Sequence, residues 1–287
     1  MSRHIEPPAL LDRLGSGRLP VLPSNTPMLL RALSNEQLDF REIAAVIEQF
    51  PTIAGRLIAL ANSAWSSPVE TILSVEQACA RLGLSVVRST SLALAVAAAF
   101  DPSRCPAFDA ERYWTDALLC AEASARICAA SPLSERLEPA AARAGGLLHN
   151  LGVLWIADRL PDEFAEAVQR QKEADDRLSL HQALRERLGF DQADAGGLLA
   201  LKWKLPEDLE AAMALTGEYR EAQRRPMEWI VGYAIRQVGM HRARVNCAEA
   251  DPRRALIGLE IDACTALQQE LEHQGERLRE LARTLFA

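Results

Sequence analysis

The chain has 287 residues, enough to bury a core and to form one large domain or two lobes. Hydrophobic residues make up 49% and charged residues 25%, the ordinary balance of a cytosolic globular protein. The net charge of −7 gives no overall attraction to a polyphosphate backbone, so nucleic-acid binding would need a local basic patch. Aromatic residues are only 5%, and this scarcity favours helix over sheet.

Helix start signals appear early in the chain. The first eight residues carry charges and prolines, so no signal peptide is expected there. Asp39–Glu42 has the pattern of a capping box, and Pro51 opens a stretch with apolar residues at helical spacing. Ser74–Gln77 predicts a second capping box, whose helix stops at Gly83.

The most apolar run, Leu84–Phe100, is interrupted by Arg88 and lacks the 18 or so uncharged residues of a membrane span. It therefore predicts a buried helix. With the helix before it, this run is similar to a helix-turn-helix. After Arg88, however, it offers no Arg, Lys, Asn or Gln to read base edges. A core helix pair is thus favoured over a DNA-binding unit, and no nucleic-acid partner is expected.

A Pro-rich segment, Asp101–Pro106, is the candidate boundary between two lobes. After it, the pattern predicts a long helix over about 110–129, an Ala-rich helix ending at His149, and an Ala/Gly helix ending near Trp203. The tail, about 255–286, predicts an amphipathic helix docked on the core. Its apolar stripe consists of Leu267, Leu271, Leu278, Leu281 and Leu285.

The cysteines contain no CxxC pair and no spacing with histidine that is typical of a metal site. They predict buried, reduced thiols and, together with the lack of a membrane span, a cytoplasmic protein. The six are Cys79, Cys105, Cys120, Cys128, Cys247 and Cys264.

Positive charge is concentrated late in the chain. A solvated or salt-bridged face is the favoured interpretation, and a surface for an anionic partner is the alternative. The residues are Arg220, Arg224, Arg225, Arg236, Arg242, Arg244, Arg253 and Arg254.

The sharpest site signal is Gly145–Gly152, which contains His149 followed by Asn150. Helical phosphohydrolases place adjacent metal ligands in such a position, but the chemistry needs at least three convergent histidine or carboxylate ligands. A neutral amide such as Asn150 is a poor ligand. A single histidine on an apolar face is more often a hydrogen-bonded core residue, which is the favoured interpretation.

Several segments together resemble the HDOD family, the HD-related output domain of bacterial signalling proteins. The resemblance extends over about 19–285, and the Asn-Ser-Ala and Gly-Leu-Leu-His motifs make it specific. The sequence differs from the family pattern at Phe50, where an Asp is usual. The matching segments are Arg18–Pro23, Phe50–Ala64, Ile72–Gly83, Tyr113–Trp114, Gly146–Gly152 and Lys202–Pro206.

The resemblance implies an all-α, two-lobed fold in which an N-terminal helical lobe precedes an HD-phosphohydrolase-like helical core. The implied organisation is an N-terminal segment, 1–18, and one domain, 19–287. Its lobes would cover about 19–105 and about 106–287. The family is similar in fold to HD phosphohydrolases but is generally regarded as lacking their activity.

This chain departs further from the ligand set of those enzymes. Asp116 stands where relatives often have His, and Asn150 where the His-Asp pair has its carboxylate. Gln192 replaces another His, and Leu215–Thr216 a common His-His pair. His149 and Asp116 remain as weak metal-ligand candidates. We therefore expect no enzymatic activity, no bound metal and no cofactor.

The favoured function is a regulatory module that relays a signal by contacts with other signalling proteins. The candidate working surface is a pocket between the lobes. The alternatives are a residual metal-dependent phosphohydrolase acting on nucleotides and a small-molecule sensor whose vacated pocket holds a nucleotide. The pocket candidates are Asn62, Ser63, Trp65, Trp114, Asp116, His149, Asn150 and Gln192. For Asn62 and Ser63 a structural capping role is the favoured alternative, while Trp65 is either core or an exposed anchor.

Overall fold

The structure, a computed structural model, describes residues 10, 14, 20, 25–35, 37–63, 65–66, 70–174, 178–215, 225–243 and 253–286. Within these ranges all regular elements are helical, so the all-α prediction is confirmed. The N-terminal helices are α1 (Thr26–Ser34), α2 (Phe40–Ile47), α3 (Pro51–Ala61), α4 (Val75–Leu82) and α5 (Leu84–Ala97). After a short 3-10 turn, Pro102–Arg104, come α6 (Ala110–Ala130), a second 3-10 turn (Pro132–Glu135), α7 (Pro139–Leu148), α8 (Leu151–Arg159), α9 (Pro161–Glu173), α10 (Leu180–Leu188), α11 (Gln192–Trp203), α12 (Glu207–Met213), α13 (Pro226–Ala243), α14 (Arg253–Leu256) and α15 (Ile261–Phe286).

The capping signals place the starts of α2 and α4. At α2 the Asp39 carboxylate accepts from the backbone N–H of Glu42, and the Glu42 carboxylate accepts from that of Asp39, which confirms the capping box. At α4 the Ser74 hydroxyl accepts from the Gln77 N–H at 3.1 Å. The Gln77 side chain, however, accepts from the N–H of Leu73, one residue before the expected donor, so only half of the predicted box forms.

Helix α5 lies in the core, as the core-pair interpretation requires. Its residues from Val87 to Val96 are buried, including Arg88, which is 6% exposed. The Arg88 guanidinium donates to the carbonyls of Leu33 (2.7 Å) and Leu38 (3.1 Å). Because these bonds hold the guanidinium against the turn between α1 and α2, the side chain is not available to a base edge.

Over the described ranges, no individual helix combines the length and apolar composition needed to cross a membrane. Taken together, α4 and α5 reach this length and apolar composition, but the pair bends by 119° at the break between the two helices.

Helix α6 is the central element of the second half of the chain. It packs against α7, α13 and the C-terminal helix α15. The predicted leucine stripe of α15 is buried along its whole length, so the prediction of a docked amphipathic helix is confirmed. Helix α15 also reaches α3, where the Arg56 guanidinium donates to the carbonyl of Leu285 at 2.5 Å. The C-terminal helix thereby connects the early helices with the later ones. The lobe boundary at Asp101–Pro106 remains a prediction.

The described thiols follow the favoured interpretation. Two of the late arginines form ion pairs, while Arg253 and Arg254 donate to the backbone carbonyls of Gly232 and Leu259. The five described cysteines are free and buried, while Cys247 lies outside the described residues. Arg242 pairs with Asp116 and Arg225 with Glu207, as a salt-bridged face requires. Arg220, Arg224 and Arg244 lie outside the described residues.

Candidate functional site

His149 directly follows α7, and its ring is held by the helix that precedes it. The Nδ1 atom lies 2.7 Å from the carbonyl oxygen of Gly146. The ring is partly buried, and removal from water lowers the pKa of His149 because burial disfavours the charged imidazolium. The favoured interpretation, a hydrogen-bonded histidine in an apolar setting, therefore matches this geometry.

This lowered pKa predicts a pH dependence of stability. The unfolded chain binds a proton at His149 near pH 6.5, whereas the native protein binds it only at lower pH. The contribution of His149 to the free energy of unfolding is therefore present above about pH 6.5 and is lost as the pH falls. The free energy of unfolding then changes by at most about 1.4 kcal/mol per pH unit. Urea unfolding at several pH values, compared with His149→Gln, measures it. Identical pH profiles for both proteins would contradict this prediction.

Asp116 lies on α6, and its carboxylate receives a hydrogen bond from Nη1 of Arg242 at 2.7 Å. Burial raises the pKa of Asp116, and the nearby guanidinium groups of Arg242 and Arg112 only partly offset this effect. The remaining carboxylate of the predicted ligand set is thus already paired with a cation from α13.

Asn150 and Gln192 lie at the starts of α8 and α11, two helices that pack together. The Oε1 atom of Gln192 is buried and finds no hydrogen-bond partner within the described part of the chain. Gly152 permits the close approach, since a Cβ there would lie 1.8 Å from the carbonyl oxygen of Gln192. Of the last predicted pair, Leu215 is partly buried and Thr216 lies outside the described residues. Across the described ranges, no three His, Cys, Asp or Glu residues converge as a metal site would require.

Asn62 and Ser63 make the capping contacts that were the favoured alternative. The Asn62 amide donates to the carbonyls of Ile58 (2.9 Å) and Ile72 (2.7 Å), and its Oδ1 accepts from the Ile72 N–H (2.8 Å). The Ser63 hydroxyl donates to the carbonyl of Leu60 at 2.7 Å. Asn62 therefore ties the end of α3 to the chain entering α4.

Replacing Asn62 with Ala removes three hydrogen bonds to the backbone. We expect a loss of about 1–2 kcal/mol in the free energy of unfolding, because Ile72 is left without its side-chain partner. The measurement is urea unfolding, with Asn35→Ala as the matched control. Within the described ranges the Asn35 side chain accepts one exposed bond, from the Gln37 N–H. Equal stabilities for the two variants would contradict the structural role of Asn62.

The two tryptophans of the predicted pocket both contact the C-terminal helix. Trp65 is partly buried, its Nε1 donates to the carbonyl of Arg277 at 2.9 Å, and the Arg277 guanidinium lies 4.7 Å from its ring centroid. Trp114 is buried and stacks on Phe286 with ring centroids 4.2 Å apart. Trp65 thus packs on α15 rather than projecting as a free anchor.

A cavity of about 600 Å³ lies where α3, the end of α5, the start of α6 and the end of α15 meet. Among the predicted pocket residues only Trp114 lines it; Asn62 and His149 do not. The sequence did not indicate this cavity, because its walls come from segments far apart in the chain. Each segment read alone has the pattern of a core helix or a cap.

The helical architecture, with His149 at the end of α7, defines an HD-like helical domain. The model of the HDOD domain matches residues 19–219, and the chain belongs to the HDOD family. The resemblance inferred from the motifs is therefore confirmed.

Solved structures share this fold. A candidate signal-transduction protein from Marinobacter aquaeolei VT8 has a TM-score of 0.78 at 20% identity, covering 96% of this chain and 61% of its own. An HDOD domain protein of unknown function from Geobacter sulfurreducens has 0.73 at 21%, covering 96% and 99%. A candidate phosphohydrolase from Shewanella amazonensis SB2B has 0.69 at 23%, covering 96% and 98%. The TM-scores show that these proteins share the fold of this chain. The prediction of an HD-phosphohydrolase-like helical domain is therefore confirmed.

An uncharacterized protein of Treponema pallidum (strain Nichols) is 24% identical over 201 residues, which is 69% of this chain. The chain spans 37% of the length of that protein, and 61% of the Marinobacter protein.

Proposed function

We propose that this protein is a non-enzymatic signalling module that acts through contacts with other proteins. The observation that carries the proposal is that His149 has no set of partner ligands. Its Nδ1 atom contacts the carbonyl of Gly146, which leaves Nε2 as its possible ligand atom, and the Asp116 carboxylate pairs with Arg242. Within the described ranges, no three His, Cys, Asp or Glu residues converge. Membership in the HDOD family and the fold shared with a protein named for signal transduction support the signalling part.

The chemistry of hydrolysis supports the non-enzymatic part. A divalent ion that acidifies water needs several convergent anionic or imidazole ligands and an open coordination position. A metal bound at Asp116 would have to displace the Arg242 guanidinium, and no carboxylate stands at Asn150 or Gln192 to add charge. The two neutral amides would offset less of the free energy of dehydrating such an ion than carboxylates would.

The hydrolytic alternative is tested with purified protein and Mn²⁺, Fe²⁺ or Zn²⁺. The substrates are an aryl phosphomonoester, an aryl phosphodiester, nucleoside triphosphates and cyclic dinucleotides. We expect turnover at the background level, the same for wild type and for His149→Ala. Turnover above background that disappears in His149→Ala would overturn the proposal.

The signalling part is tested in the source cell, by complementing a deletion strain. We expect His149→Gln to restore the wild-type phenotype, because no catalytic step depends on the ring. We assign Leu73, a large apolar side chain that is 78% exposed, to the proposed contact surface, and we expect Leu73→Asp to fail because a charge would weaken an apolar contact there. Equal expression of the variants is the control. Failure of His149→Gln at wild-type expression would contradict the proposal.

A further inference from the structure

The lining of the cavity beside α3 combines exposed polar residues with a buried, mostly apolar part. The exposed polar residues are Asn25, Gln49, Thr52 and Arg56. Apart from Thr26, the buried lining is apolar, and it includes Ile53, Leu94, Ala95, Trp114 and Leu154. A lining divided in this way fits a ligand with an apolar body and one polar end, since each part then meets walls of its own kind.

The charge of the lining indicates the sign of that polar end. Arg56 is the one charged side chain among the described residues that line the cavity. One of its N–H groups donates to the carbonyl of Leu285, and a guanidinium has five such groups, so donors remain for a ligand. No carboxylate stands among these lining residues to neutralise it.

The start of α3 adds backbone donors at the same place. Its N-cap residue, Phe50, has no side chain that can accept from the first turn. The N–H groups of Thr52 and Ile53 have no acceptor within the described part of the chain. Unpaired N–H groups at a helix start favour a negatively charged group nearby.

A second, independent observation comes from α1. Thr26 lines the cavity, is fully buried, and its hydroxyl has no hydrogen-bond partner within the described residues. An unpartnered buried hydroxyl is costly, and a polar ligand atom would satisfy it.

We propose that this cavity binds an apolar carboxylate of the size of a medium-chain fatty acid, with its carboxylate at Arg56 and the start of α3. The apolar body lies against the Trp114 wall. Small-molecule sites of about 300–1,000 Å³ are common, and the cavity volume of about 600 Å³ falls in this range. Because His149 does not line the cavity, this binding stands whether or not the proposed function is correct.

The experiment is calorimetric titration of the full chain with decanoate, at concentrations below its micelle formation, with decanol as the uncharged comparison. We expect saturable decanoate binding that is roughly tenfold weaker in Arg56→Gln, because a charge-assisted pair is lost. Decanol binding is weaker than decanoate binding in wild type and unchanged in Arg56→Gln. The matched control is Arg41→Gln, a surface arginine paired with Glu76 outside the lining.

A second variant, Ala98→Trp, places a large ring at an exposed lining position and weakens the binding of both probes. It decides the outcome if Arg56→Gln folds poorly without its bond to Leu285. Three results would overturn the proposal: no saturable decanoate binding, equal affinity for decanol and decanoate, or affinity unchanged by both substitutions.

Discussion

Replacing Gly152 with Ala is expected to lower the free energy of unfolding by about 3 kcal/mol. The added Cβ would lie 1.8 Å from the carbonyl oxygen of Gln192 and 2.8 Å from the backbone nitrogen of Gly196. Both atoms belong to the backbone at α11, so no side-chain rotation relieves the overlap. The helices α8 and α11 have to move apart, and the packing around buried Leu151 and Trp155 is lost with them.

The matched control for Gly152→Ala is Gly55→Ala. Gly55 lies within α3, is exposed, and a Cβ there would meet no atom within 4 Å. We expect that change to stabilise the protein by about 0.5–1 kcal/mol, because alanine loses less backbone entropy in a helix. Urea unfolding with an unchanged slope measures both variants. Wild-type stability in Gly152→Ala would show that α8 and α11 do not cross in this register.

Replacing Arg88 with Met is expected to cost about 3 kcal/mol, the second large effect. The buried guanidinium bonds the carbonyls of Leu33 and Leu38, and it lies at the C-terminal end of α1, where a cation is favoured. Methionine fills a similar volume but leaves these acceptors unpaired in a buried region, at about 1–3 kcal/mol for each group. Part of this cost is offset because a charge is no longer buried.

The comparison for Arg88→Met is Arg41→Met, an exposed arginine whose ion pair with Glu76 contributes little. We expect hydrogen exchange to accelerate at the turn between α1 and α2 in Arg88→Met, before global unfolding, because the bonds to this turn are lost. A change of less than about 0.5 kcal/mol would mean that the guanidinium reaches water instead.

Much of the fold was predictable because its signals are local. The Asp39 capping box, the Pro51 start and the leucine stripe of α15 each depend on residues a few positions apart, and the structure has all three. At Ser74 the residue types predicted one hydrogen bond of the capping box correctly but not the other. Gln77 reaches the N–H of Leu73 instead, a choice set by side-chain geometry rather than by residue type.

The site was predictable only as a set of residue types. His149 was identified from its motif, but its bond to Gly146 depends on the path of the chain at the end of α7. The ion pair that holds Asp116 joins residues 126 positions apart, and no local pattern indicates it. The cavity beside Arg56 was missed for the same reason, since its walls meet only after the C-terminal helix docks on α3 and α6.

We propose that the metal-binding function of an HD-type site is lost in this protein. The most direct test is elemental analysis of protein incubated with Mn²⁺, Fe²⁺ or Zn²⁺ and then freed of unbound ions, for wild type and His149→Ala. We expect only trace metal, in equal amounts in both proteins, because Asp116 stays paired with Arg242. One metal ion per chain in wild type, lost in His149→Ala, would contradict it.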